Sequence, residues 1–265
     1  MYETNYHRAG SVSEAASLMA KADDGKFLAG GQTLIPTMKQ RLAAPSDLID
    51  LGQIAELQGI TEAGGSLRIG AGTKHADVAG SALVQRLIPG LAKLAGGIGD
   101  PHVRHMGTIG GSVANNDPAA DYPSAVMALG ATVHTSSRAI AAEDYFTGMF
   151  DTALEENEII TAISFPVPEK SAYAKYPNPA SRYAMAGVFV ARFKDGSVRV
   201  AATGAGQNGV FRIPAMEAAL SANWSADAVA SISVPADDML SDIHGSADYR
   251  ANLVTVMAKR AVAAA

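Results

Sequence analysis

Two glycine pairs flanked by hydroxyl side chains constrain this chain more than any other feature: Ala29-Gly30-Gly31-Gln32-Thr33 and Thr108-Ile109-Gly110-Gly111-Ser112. Paired glycines mark backbone that turns tightly or lies close to another surface. The first pair leaves a short apolar run read as a strand over residues 26–29. It then enters a segment read as a helix over residues 34–41, with Pro36 tolerated in the first turn. A strand–turn–helix of this kind aims successive N–H groups at one point, where they offer partial positive charge to an anion. Thr33 adds a hydroxyl. Each loop taken alone also fits a tight turn with no ligand. Two such loops suit a diphosphate better than a monophosphate, and oriented amides need no lysine. A third segment, Asp117-Pro118-Ala119-Ala120-Asp121, supplies carboxylates of the kind that hold ribose or ribityl hydroxyls, while Asp121 equally fits a helix N-cap.

Around these loops the pattern reads as α+β. Ser11 with Glu14 forms a capping box opening a helix through about residue 22. Strands are expected over residues 47–50, 67–69, 131–135 and 158–167, and helices from Lys74, to a stop at Gly96-Gly97, and over residues 121–129. Residues 99–120 have little periodicity and read as a long functional loop. The Pro- and Tyr-rich stretch over residues 170–180 reads as a domain boundary. Residues 183–193 and 197–203 form a hairpin turning at Lys194-Asp195-Gly196, and helices follow from Pro214, near Ala226 and from Ala247.

Composition removes several function classes. Net charge is −5 with no basic block, against nucleic acid as the main partner. No apolar run reaches membrane-spanning length and the first residues lack signal-peptide character, so a cytoplasmic location is expected. The chain has 0 cysteines, hence no disulfide and no cysteine-held cluster of its own, and any redox group must be an organic cofactor. Gly204-Ala205-Gly206-Gln207-Asn208-Gly209 matches a dinucleotide fingerprint but lacks a continuing strand–helix–strand unit, and reads as a strand-to-helix turn. His102 and His105 read as loop histidines, and Met127, Met149 and Met185 as core filler.

The Ala-Gly-Gly-Gln-Thr loop, the Thr-Ile-Gly-Gly loop and the Asp-Pro-Ala-Ala-Asp stretch, in this order, resemble the medium, FAD-binding subunit of molybdenum-containing hydroxylases. That group includes aerobic carbon monoxide dehydrogenases and the xanthine dehydrogenase flavin domain. Asn178-Pro179-Ala180-Ser181-Arg182-Tyr183-Ala184 extends the resemblance into the C-terminal part. The resemblance implies a two-subdomain FAD-binding fold of the vanillyl-alcohol oxidase type over residues 1–55 and 56–169, with a small C-terminal α+β domain over residues 170–265. It implies that Ala29, Gly30, Gly31, Gln32, Thr33, Leu34 and Ile35, with Thr108, Ile109, Gly110, Gly111 and Ser112, hold the FAD pyrophosphate. Asn115 and Asp117 would join that site, Asp121 would bind a ribose or ribityl hydroxyl, Ile98 and Ile160 would lie against the flavin, and Lys175 would sit near its ring. The implied partners are a large molybdenum-cofactor subunit and a small [2Fe-2S] subunit in a dimer of heterotrimers. Electrons would run from the clusters to FAD and on to an external acceptor. A free-standing flavoenzyme of the same fold and a nucleotide-binding protein without redox activity are the other readings.

Overall fold

The computed structural model describes residues 1–265 and contains three main sheets. The first comprises β1 (Asn5–Arg8), β2 (Gly25–Leu28) and β3 (Asp47–Asp50) in the order β1-β3-β2, all parallel, joined by crossovers through α1 (Val12–Met19) and α2 (Leu34–Lys39). Ser11 caps α1 by accepting from the Glu14 amide at 3.1 Å, while the Glu14 carboxylate reaches back to the Gly10 amide, one residue short of a reciprocal capping box.

The second region runs through β4 (Ile60–Ala63), β5 (Ser66–Gly70), α3 (His75–Gly80), α4 (Ala82–Leu87), α5 (Pro89–Gly96), α6 (Pro101–Met106), α7 (Ile109–Asn115) and α8 (Tyr122–Ala128). It continues through β6 (Thr132–Thr135), β7 (Ala139–Ala141), α9 (Ala142–Tyr145), the small hairpin β8 (Phe146–Gly148) and β9 (Asp151–Thr152), and β10 (Ile160–Pro166). Its sheet is antiparallel in the order β4-β5-β10-β6-β7, and its inner face buries Leu67, Ile69, Val133, Ile163 and Phe165 against α5, α7 and α8.

The third sheet, β11 (Lys170–Pro177), β12 (Ala184–Arg192), β13 (Val198–Thr203) and β14 (Phe211–Arg212), is antiparallel and covered on both faces. Tyr173, Phe189 and Ala201 point into the core shared with α5 and α8. Val188, Val190 and Val200 point into a second core closed by α10 (Pro214–Ala222) and α11 (Ala247–Ala263). Alternation along β12 therefore stitches the C-terminal part to the middle of the molecule, and the loop between β11 and β12 reaches the site described below.

Four expectations are corrected. Residues 99–120 are not a long loop: Asp100 caps α6 through the Val103 amide and Thr108 caps α7 through the Gly111 amide. Both helices are under two turns long, too short to print a period, and the two glycines of α7 disfavour helix by about 1 kcal/mol each until tertiary packing compensates. Residues 170–177 are a strand of the third sheet, not a linker. The Gly204–Gly209 stretch joins β13 to β14, strand to strand. Met149 is no core filler; it stands 45% exposed at the tip of the β8–β9 hairpin. The edge strands β1 and β4 escape the sequence reading because their side chains are mostly exposed and polar, leaving no apolar alternation.

Candidate functional site

The two glycine loops meet. A Cβ added at Gly30 would lie 2.2 Å from the Met106 carbonyl oxygen, and one at Gly111 would lie 3.3 Å from the Ala29 Cβ. Segments far apart in sequence thus form one wall of a cavity of about 940 Å³. This is the upper range of small-molecule and cofactor sites.

The loops contribute differently. In the first, Gly31 has φ +69, the left-handed turn that glycine adopts without cost. None of the amides from Ala29 to Leu34 donates to a protein acceptor; the first amide of the segment to do so is Ile35, to the Gly31 carbonyl at 3.1 Å. Successive unpaired donors lining a cavity form a cradle for an anion. In the second, the amides are spent inside the protein. Ile109 donates to Thr73, Gly110 to Ala71 at 2.8 Å, Gly111 to the Thr108 hydroxyl and Ser112 to the Thr108 carbonyl. What this loop offers the cavity is the protons of the Thr108 and Ser112 hydroxyls, with Gly110 packed so tightly that a Cβ would sit 2.5 Å from Ala71.

Ala29, Gly30, Gly31, Gln32, Thr33, Leu34, Ile35, Ile98, Thr108, Gly110, Gly111, Ser112, Asn115, Asp117, Asp121 and Ile160 all line the cavity. Ile109 does not: its side chain is fully buried in the core, because the first turn of α7 puts it on the face opposite the cavity. Lys175 also falls outside the lining. Its ammonium donates to the Gly97 carbonyl at 2.9 Å and pairs with the Asp121 carboxylate at 3.0 Å. Asp121 makes no N-cap bond to α8; its carboxylate accepts from the Tyr173 hydroxyl at 2.5 Å instead. Burial pushes the Asp121 carboxyl upward, opposed by Lys175 and Tyr173. Asp117 folds back onto the Ala119 amide, and burial raises its carboxyl as well.

Several lining residues escaped the sequence reading. His75 is 4% exposed, its Nδ1 has no partner, its ring lies 5.3 Å from that of Tyr122, and burial followed by the Arg104 charge lowers its pKa to about 4. It follows the Gly70–Thr73 turn, and that turn was the available signal. Glu158 accepts a two-pronged bond from the Arg138 guanidinium at 2.9 and 3.0 Å, plus the Thr135 and Ser137 hydroxyls, and Arg138 first among these holds its carboxyl far below the usual range. Ser181, Arg182 and Tyr183 reach the cavity from the loop between β11 and β12, with Arg182 at φ +63. His102 and His105 lie on the exposed helix α6, not in a loop, and His105 Nδ1 is 2.6 Å from the Pro101 carbonyl.

Comparison with known proteins places the chain in a family. Residues 2–168 match the family model described as the FAD binding domain in molybdopterin dehydrogenase. The chain is 38% identical to the carbon monoxide dehydrogenase medium chain of Afipia carboxidovorans, covering 97% of this chain and 95% of that one. It is 34% identical to the nicotine 6-hydroxylase medium subunit of Paenarthrobacter nicotinovorans, over 97% and 95%. The crystal structure of carbon monoxide dehydrogenase from Hydrogenophaga pseudoflava superimposes with a TM-score of 0.87 at 36% identity, covering 99% of this chain and 97% of its counterpart. With a cavity walled by six unpaired amides and these relatives along nearly its whole length, the chain belongs to the family of FAD-binding domains of molybdopterin dehydrogenases, its cofactor is FAD and its class is the oxidoreductases.

Proposed function

We propose that this chain is the electron-transferring flavoprotein subunit of a cytoplasmic molybdenum hydroxylase, built on the vanillyl-alcohol oxidase type of FAD-binding fold, with subdomains over residues 1–55 and 56–169 and a C-terminal domain over residues 170–265. The single observation that supports it best is the run of unpaired amides from Ala29 to Leu34, facing the Thr108 and Ser112 hydroxyls across one cavity. A pyrophosphate needs many short-range donors without a bulky cation, and this wall supplies them. Asn115, Asp117 and the remaining lone pairs of Asp121 suit the hydroxyls of a ribityl or ribose chain, while Ile98 and Ile160 give apolar surface for a flat ring.

When bound, FAD supplies a centre able to take up two electrons singly or together. The chain's own residues bind and orient it, and no residue set here equips the chain to oxidise a substrate alone. In this reading a small [2Fe-2S] subunit delivers electrons from a large molybdenum subunit, and an external acceptor removes them, within a dimer of heterotrimers. The test is to purify the chain, release its cofactor by heat and separate it by chromatography. FAD is expected; FMN alone would sink the reading, since it has no pyrophosphate for the cradle.

A further inference from the structure

We infer that Tyr173 is a positioning residue of the flavin site: its hydroxyl, admitted through a gap left at Gly187, locks Asp121 against the Lys175 ammonium and so fixes the charge on that wall of the cavity. The inference rests on the FAD reading above. Tyr173 and Asp121 are 3% and 5% exposed, and their bond is 2.5 Å long. Gly187 sits in the interior of β12, directly opposite Lys175 in the sheet register. Glycine inside a strand weakens it, so a local reason is expected. Here the reason is visible: a Cβ at Gly187 would lie 2.2 Å from the Tyr173 hydroxyl oxygen and 2.9 Å from its Cζ.

The Lys175 ammonium approaches both Asp121 oxygens, at 3.0 and 3.1 Å, and the Gly97 carbonyl at 2.9 Å, using its three protons. The carboxylate therefore has three of its roughly four lone-pair directions taken, and it lines the cavity with what is left. Gly97 precedes Ile98 and Gly99, both cavity-lining, so the same clamp holds that stretch of wall. The other titratable groups facing Asp121 are Tyr122 on its own helix and, from a neighbouring loop, Tyr183, which also faces Asp117. None of them carries a positive charge, which leaves Lys175 as the compensating cation. Burial pushes the Tyr173 phenol well above its ordinary pKa, so it stays a donor.

Removing that donor weakens the hold of Asp121 on its charge. Once the carboxylate takes up a proton, the Lys175 ammonium stands uncompensated beside the cavity and favours electrons on whatever is bound there. The experiment uses the full chain reconstituted with FAD. FAD affinity is measured by fluorescence titration and flavin midpoint potential by spectroelectrochemistry, for wild type, Tyr173→Phe, Gly187→Ala and the control Tyr176→Phe. Tyr176 lies on the same strand, but its ring packs on that of Tyr249. Expected are a more positive potential and FAD binding weaker by on the order of tenfold in Tyr173→Phe, a shift in the same direction in Gly187→Ala, and no change in Tyr176→Phe. Wild-type potential and affinity in folded Tyr173→Phe and Gly187→Ala overturn the inference, as does an equal shift in the control. Loss of fold by circular dichroism in one variant leaves the other to decide; loss in both assigns Tyr173 a purely structural role and also overturns it. A wild-type chain that takes up no FAD at all refutes the underlying reading instead.

Discussion

Gly30 and Gly110 look alike in sequence and differ in what they hold together. Gly30 presses on the Met106 carbonyl at the cavity wall, within the run of unpaired amides. Gly30→Ala is therefore expected to displace the cradle and weaken FAD binding by roughly tenfold or more while the chain stays folded; FAD content against circular dichroism separates the two effects. Gly110 packs on the Ala71 backbone and spends its amide there, so Gly110→Val is expected to damage the fold itself and lower the melting temperature together with FAD content. His75 carries a pH dependence. Its folded pKa of about 4 lies below the ordinary 6.5, so the unfolded chain binds the extra proton first. Stability from the neutral ring is complete above pH 6.5 and is lost as pH falls from there to about 4, by about 3 kcal/mol at most for a depression of this size. His75→Leu should flatten that segment of the melting-temperature profile, and an unchanged slope would place the titration elsewhere.

Among the elements, α7 depends on its two ends. Thr108 caps its start, and Asn116 ends it with φ +42, sending its side-chain amide to the Gly148 and Asp151 carbonyls at 2.8 Å each. Those two bonds tie the second glycine loop to the β8–β9 hairpin, whose tip holds Phe150 at φ +54. Asn116→Ala removes both bonds and puts a less tolerant residue in the left-handed region. A loss of about 2–3 kcal/mol is expected in chemical denaturation, with FAD affinity falling less than in Gly30→Ala. The β13–β14 turn is the opposite case. Gly209 has φ +92 with nothing within 4 Å of a Cβ, and Gly206 abuts the Gly209 carbonyl and the Phe211 ring. Alanine at either position should cost stability and leave FAD content unchanged, because none of these residues lines the cavity. FAD loss specific to these variants would revive the dinucleotide fingerprint.

For the whole molecule, the proposed function raises the question of where electrons would enter. Helix α6 buries none of its residues, yet Val103 and Met106 line the cavity and Gly30 rests on its end. A thin, exposed cover over a redox site is where a partner gains the shortest path. His102→Glu and His105→Glu are expected to leave FAD content intact and to slow flavin reduction in the reconstituted complex by roughly tenfold, through the desolvation penalty of a new charge at the contact. Wild-type reduction rates in both variants would move the entry point off α6 while leaving the FAD assignment untouched.

The sequence by itself determined whatever depends on local sterics and local periodicity. The glycine pair at Gly30-Gly31 announces a turn because only its neighbours and its own φ are involved, and β3 and the β12–β13 hairpin follow from runs of apolar residues broken at Asp195-Gly196. The absence of cysteine excluded a cysteine-held cluster in this chain. Tertiary structure decided what depends on partners far along the chain. Whether the amide of Gly110 is free cannot be read near Gly110, since its acceptor is Ala71. Ile109 goes to the core and Thr108 to the cavity only because α7 lies against β10. Asp121 is a plausible N-cap by sequence, and becomes the centre of a buried cluster through Tyr173 and Lys175, 52 and 54 residues away. The physical reason is the same in each case: a dihedral preference is a property of a residue and its neighbours, whereas burial and the pairing of a buried donor are settled only when separate segments close around it.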